Sequence, residues 1–121
     1  MVSWNNLDTL SSYKELADVK PACLTEVMSG DNGAERVKNY SIPMAAGLSY
    51  NYASKQVDEN VLAALEKLAD EAQLADKFKA LYNGEVVNTG EKRLVLHHMT
   101  RGQLGDAVEA DGVDKRTFYK T

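Results

Sequence analysis

Two adjacent imidazoles, three basic residues at four-residue spacing and one cysteine are the side chains of this 121-residue chain whose types could do chemistry. His97 and His98 are neighbours. On a helix their rings would point about 100° apart, and on a strand to opposite faces, so neither geometry converges them on one ion as an i, i+4 pair would. With Cys23 far away in sequence, no metal site is expected. Arg93, His97 and Arg101 stand at i, i+4 and i+8 and would form one basic stripe on a helix. Guanidinium groups offer paired donors that match a phosphate, which makes these three the candidate anion-binding residues. The plainer alternative is that they pair with carboxylates of neighbouring elements.

No residue earns a catalytic role on these grounds. Glu66, Asp70 and Glu71 fall on the polar face of an amphipathic stretch, and proton transfer needs both a pocket to shift a pKa and a partner group to define direction. Cys23 sits among residues that read as helical and apolar, which favours a structural role over a nucleophilic one. A single cysteine makes no internal disulfide, in keeping with a reducing compartment. The glycines show neither GxGxxG nor Walker spacing, so they read as turn positions and not as a phosphate cradle.

Composition narrows the class. A net charge of −4 without clustered Lys and Arg argues against a nucleic-acid surface. Hydrophobic residues at 44% and charged residues at 26% suit one small soluble domain with a single core, and no apolar run approaches the roughly 20 residues of a membrane span. Met1 to Asn6 lacks the basic and apolar regions of a secretory signal, so cytoplasmic residence is expected.

The elements that must position these side chains read as mainly α, several packed short helices with a small hairpin segment near the C-terminus. Leu7, Leu10, Leu16 and Ala17 predict a first helix over 7–17, with Asn6 or Asp8 as its cap. Pro21 suits the first turn of a second helix carrying Ala22, Cys23, Val27 and Met28, and residues 29–33 read as a loop. Residues 34–40 predict a short helix with Val37 and Tyr40 inward, broken at Pro43. From Leu48 to Ala53 alternation predicts an extended segment that places Tyr50 and Tyr52 on one side of the pleat.

The clearest signal follows. Val61, Leu62, Leu65, Leu68, Ala69 and Ala72 recur at helical spacing behind Asp58, a good N-cap. Leu74, Phe78, Leu81 and Tyr82 continue it as a second helix or a bent extension, stopped at Asn83-Gly84. Val86-Val87 reads as a brief connector, after which Thr89 would cap residues 90–101 and Gly102 would end them. Residues 93–99 are also short and apolar enough for a buried strand, and propensity does not choose. Residues 107–113 read as a small hairpin or turn. The chain then starts an element at Lys115 and stops at Thr121 without a C-cap, which reads as a cut.

Asn51-Tyr52, Val57-Asp58-Glu59, Leu81-Tyr82-Asn83-Gly84-Glu85 and Asn88-Thr89-Gly90-Glu91-Lys92-Arg93-Leu94-Val95-Leu96-His97, in this order and spacing, resemble the N-terminal part of glucose-6-phosphate isomerase. The resemblance spans residues 47–101, and the chain departs from the family's Asp-Tyr-Ser-Lys run at Asn51-Tyr52-Ala53-Ser54. It implies a helix over 90–101. It also implies a parent enzyme that interconverts glucose 6-phosphate and fructose 6-phosphate through an enediol, with no metal or nucleotide cofactor. That enzyme would be a homodimer with α/β domains, its catalytic Glu, His, Arg and Lys lying further along the chain. On that reading residues 1–121 are a single N-terminal helical domain or fragment, inactive alone, whose partner is the remainder of the parent chain. The rival is a self-contained, acidic helical interaction module.

Overall fold

The computed structural model describes residues 1–101 and 105–120. Among them are six α-helices and three two-stranded antiparallel hairpins, in the order α1 (Ser11–Asp18), α2 (Leu24–Val27), α3 (Gly30–Asn39), β1 (Ser41–Pro43), β2 (Ser49–Asn51), α4 (Glu59–Glu71), α5 (Leu74–Tyr82), β3 (Val86–Asn88), β4 (Arg93–Leu94), β5 (Glu109–Ala110), β6 (Val113–Asp114) and α6 (Lys115–Phe118). The mainly α class with a hairpin near the C-terminus is the one expected from sequence. The chain forms two compact units: Ser11–Lys67, and Met1–Leu10 together with Leu68–Thr121.

Within Ser11–Lys67, the hairpin β1–β2 pairs Ser41 with Asn51, Ile42 with Tyr50 and Pro43 with Ser49. Tyr50 and Tyr52 share a side of the pleat as predicted, their rings stacked at 6.2 Å. Helix α4 starts where its cap requires, with Val61 N–H donating to Asp58 Oδ1 at 2.9 Å. Ala22, Ala53, Ala64, Ser12 and Arg36 are buried.

Four expectations for residues 7–40 are corrected. The helix over 7–17 is two pieces, a 3₁₀ turn at Leu7–Thr9 and α1, because Leu10 is extended and its N–H closes on Leu7. Pro21 precedes α2 and does not enter its first turn, since Ala22 N–H is taken by the Gln56 carbonyl; Cys23 is the exposed N-cap residue, not a packed one. Residues 30–33 are the first turn of α3 and not loop, and a side chain at Gly33 would collide with the Met28 carbonyl. Val37 points to solvent, and the residue turned inward is Arg36.

In the other unit, α4 and α5 are separate helices, because Gln73 between them takes a left-handed conformation (φ 55°). Helix α5 ends in a Schellman arrangement: Gly84 N–H reaches the Leu81 carbonyl at 3.2 Å and Glu85 N–H the Ala80 carbonyl at 2.9 Å. Gly84 sits at φ 73° with the buried Val108 side chain against its α-carbon, so a Cβ there has no room. The hairpin at 107–113 forms as β5–β6, turning on Asp111 (φ 54°) and Gly112 (φ 72°), the two left-handed positions of a type I′ turn.

Residues 90–101 are not the helix that the resemblance implies. Val86 pairs with Leu94 and Asn88 with Arg93 across β3–β4, and a 3₁₀ helix follows at His97–Arg101. Turn chemistry is the cause. Asn88 Oδ1 accepts from Glu91 N–H at 3.2 Å, Asn88 Nδ2 donates to Glu91 Oε2 at 3.2 Å, and Lys92 completes the reversal at φ 53°. The terminator expected at Gly102 lies outside the described residues.

Candidate functional site

The basic candidates do not share a helical face. Arg93 is exposed on β4 with Nε 3.9 Å from Glu91 Oε2, a carboxylate of its own hairpin. His97 and Arg101 open and close the 3₁₀ helix, where residues four apart are rotated from one another by more than a hundred degrees. His97 is exposed and borders a shallow depression of about 220 Å³ with Leu94, Leu96, Thr100 and Tyr119. The spacing that suggested a stripe therefore does not build one within these residues.

His98 is engaged by the end of α5. Its ring stacks on Tyr82 with centroids 4.8 Å apart, and its Nε2 lies 3.3 Å from the Tyr82 carbonyl oxygen, to which the Nε2–H tautomer donates. That carbonyl belongs to the last turn of α5, where the helix leaves acceptors without intrahelical partners. Arg116 Nη2 donates to the same oxygen at 2.9 Å, and Arg116 Nε donates to the Asp106 carbonyl at 2.6 Å. The guanidinium is buried and lies 5.4 Å from the centre of the Tyr82 ring. Fully buried Met99 completes the packing of this unit.

Arg116 is placed by Asp114, whose carboxylate caps α6. Oδ1 accepts from the N–H groups of Val108 (3.1 Å) and Arg116 (3.0 Å), and Oδ2 accepts from the hydroxyl and the N–H of Thr117. The Thr117 hydroxyl is the main reason that Asp114 stays ionised below the ordinary aspartate range; desolvation opposes it and the three backbone donors add to it.

The second buried guanidinium, in the other unit, is Arg36. Its Nε donates to the Ala53 carbonyl at 2.8 Å and its Nη2 to those of Lys55 (3.0 Å) and Val57 (2.6 Å). Sequence reasoning missed both arginines, since their partners are carbonyls 10 to 34 residues away and carry no side-chain signal. Chemically, each arrangement fixes backbone through the Nε and Nη2 donors of its guanidinium. Glu66, Asp70 and Glu71 are exposed on α4, where the polar face was expected. Among the described residues, no group of three or more His, Cys, Asp or Glu side chains is placed to hold a metal ion.

Comparison with known proteins adds what the geometry lacks. The Phosphoglucose isomerase family model matches residues 51–119, more than half of the chain. The chain belongs to the phosphoglucose isomerase family. Glucose-6-phosphate isomerase of Treponema pallidum is 47% identical over 122 residues, covering 98% of this chain and 23% of the relative. The Treponema denticola enzyme is 43% identical over 123 residues, with the same two shares, and that of Borreliella afzelii 42% over 123 residues, covering all of this chain and 22% of the relative. The chain thus corresponds to an N-terminal segment spanning under a quarter of these phosphoglucose isomerases, and the residues that carried the resemblance lie largely within the matched region.

Proposed function

We propose that this segment is the scaffold of a glucose-6-phosphate isomerase whose catalytic residues lie outside residues 1–121. Its work in that reading is to hold helices and hairpins in register for a reversible interconversion of glucose 6-phosphate and fructose 6-phosphate performed elsewhere. Family membership combined with 22–23% coverage of the relatives carries the proposal. The use of both buried guanidinium groups on backbone carbonyls supports it, because these bonds hold the fold together. The full enzyme is proposed to be a cytoplasmic homodimer that needs neither metal nor nucleotide. No helix among the described residues is long and apolar enough to cross a membrane.

Within this proposal, an anion-supporting role for Arg93, His97 and Arg101 rests on charge and proximity in sequence, no longer on a shared helical face. Replacing all three by Gln in the full-length enzyme tests it. A rise in KM for the sugar phosphate supports the role, and an unchanged KM assigns the three residues to the scaffold. The primary test is simpler: the full-length protein is given glucose 6-phosphate and fructose 6-phosphate formation is followed. Turnover is expected, and its absence contradicts the proposal.

A further inference from the structure

Residues 59–82 hold neither glycine nor proline, and Glu71, Ala72, Gln73, Leu74 and Ala75 are good helix formers by type. The helix nonetheless breaks at Gln73, whose backbone is left-handed at φ 55° and ψ 41°. That conformation brings Cβ against the following carbonyl oxygen and is ordinarily left to glycine, asparagine or aspartate. Nothing in the local sequence asks for a break at this position.

A contact from outside both helices reaches it. Ser3 N–H donates to Gln73 Oε1 at 2.8 Å, and one turn further along α5 Lys77 Nζ stands 5.6 Å from the centre of the Trp4 ring. These residues belong to one compact unit, Met1–Leu10 with Leu68–Thr121. The hold is slight: Trp4 is 37% exposed and borders two depressions, one of about 510 Å³ shared with Gln73, Asp76 and Lys79 and one of about 240 Å³ shared with Leu74, Phe78 and Leu81. A segment so sparsely packed belongs to the low-stability end of a fold.

We propose that residues 1–6 are a latch: their grip on Gln73 holds the helix broken, and its release lets the end of α4 run on into α5. In the broken state Lys77 N–H, bonded to the Gln73 carbonyl at 2.8 Å, is the first intrahelical donor of α5, and the N–H groups of Leu74, Ala75 and Asp76 precede it. With Gln73 right-handed, these three reach the carbonyls of Asp70, Glu71 and Ala72. The break therefore leaves helical bonds unmade as well as straining Gln73. Two discrete states differ by the conformation of one residue, and the latch selects between them.

The test is amide hydrogen exchange at Leu74, Ala75 and Asp76 in the full-length enzyme, with the amides of residues 62–69 in α4 reporting that the helix is folded. A latch variant, Ser3→Pro with Trp4→Ala, removes the N–H donor and the ring without touching Gln73. Exchange at the three amides is expected to slow by at least roughly tenfold in that variant as they gain helical partners. Gln73→Ala, which removes the acceptor and favours a helix, should slow them likewise, whereas Gln73→Gly, at ease in the left-handed conformation, should leave them fast. Exchange as fast in the latch variant as in the parent overturns the proposal, since packing elsewhere then fixes the break. Equal exchange in Gln73→Ala and Gln73→Gly overturns it as well. The readout needs no turnover, so its outcome stands apart from that of the isomerase assay.

Discussion

The Arg36 guanidinium lies over the Tyr40 ring, its central carbon 4.0 Å from the ring centre, while its donors hold the backbone from Ala53 to Val57. One side chain thus ties α3 to the stretch between β2 and α4, and it does so where only 7% of it meets solvent. Arg36→Ala is expected to destabilise the protein by about 2–4 kcal/mol, because it leaves acceptors without partners in a partly buried setting. Arg36→Lys should recover little of this, as a point charge does not reproduce the guanidinium fork. Urea unfolding midpoints check both, and a lysine variant as stable as the parent would refute the clasp.

Gly84 and Val108 make a second, sharper prediction. A methyl at Gly84 meets both the left-handed backbone and the Val108 side chain, whereas a methyl at Gly112, with nearly the same φ, meets no neighbour. Gly112→Ala should therefore cost about 1–2 kcal/mol of backbone strain, and Gly84→Ala distinctly more. Adding Val108→Ala to Gly84→Ala should recover part of the excess in a double-mutant cycle. Equal costs at the two glycines would contradict the packing.

Asp114 sets a pH dependence whose sign follows from its depressed pKa. The native state binds the proton more weakly than the unfolded chain does, so the contribution of Asp114 is complete above the ordinary aspartate value of about 3.9 and is lost as pH falls through the lower native value. Asp114→Asn and Thr117→Val should each flatten the acid limb of the stability curve, measured as unfolding midpoint against pH. An acid limb unchanged in both variants would count against the cap.

The elements that were legible in sequence are those whose signals are local. Asp58 and the leucines behind it mark α4 by capping and periodicity, Asn83-Gly84 stops α5, and Asp111-Gly112 turns the last hairpin. Residues 93–99 fit a helix or a strand by local rules, and the helix over 90–101 comes from the family resemblance alone. What decides it is Asn88, whose side chain bonds to Glu91 within the turn, a role that apolar periodicity does not signal. The candidate basic stripe fell with that helix, since its alignment depended on α spacing. Arg36 and Arg116 were illegible for another reason: their burial is determined by carbonyls distant in sequence, and a lone arginine in a helix gives no sign of which way it turns.

The central claim is that this segment scaffolds chemistry carried out by other residues of an isomerase. Isolated residues 1–121, incubated with glucose 6-phosphate beside the full-length enzyme, test it most directly. The account predicts fructose 6-phosphate from the full-length enzyme and none from the segment. Turnover by the segment, abolished by substituting one of its own residues, would contradict it.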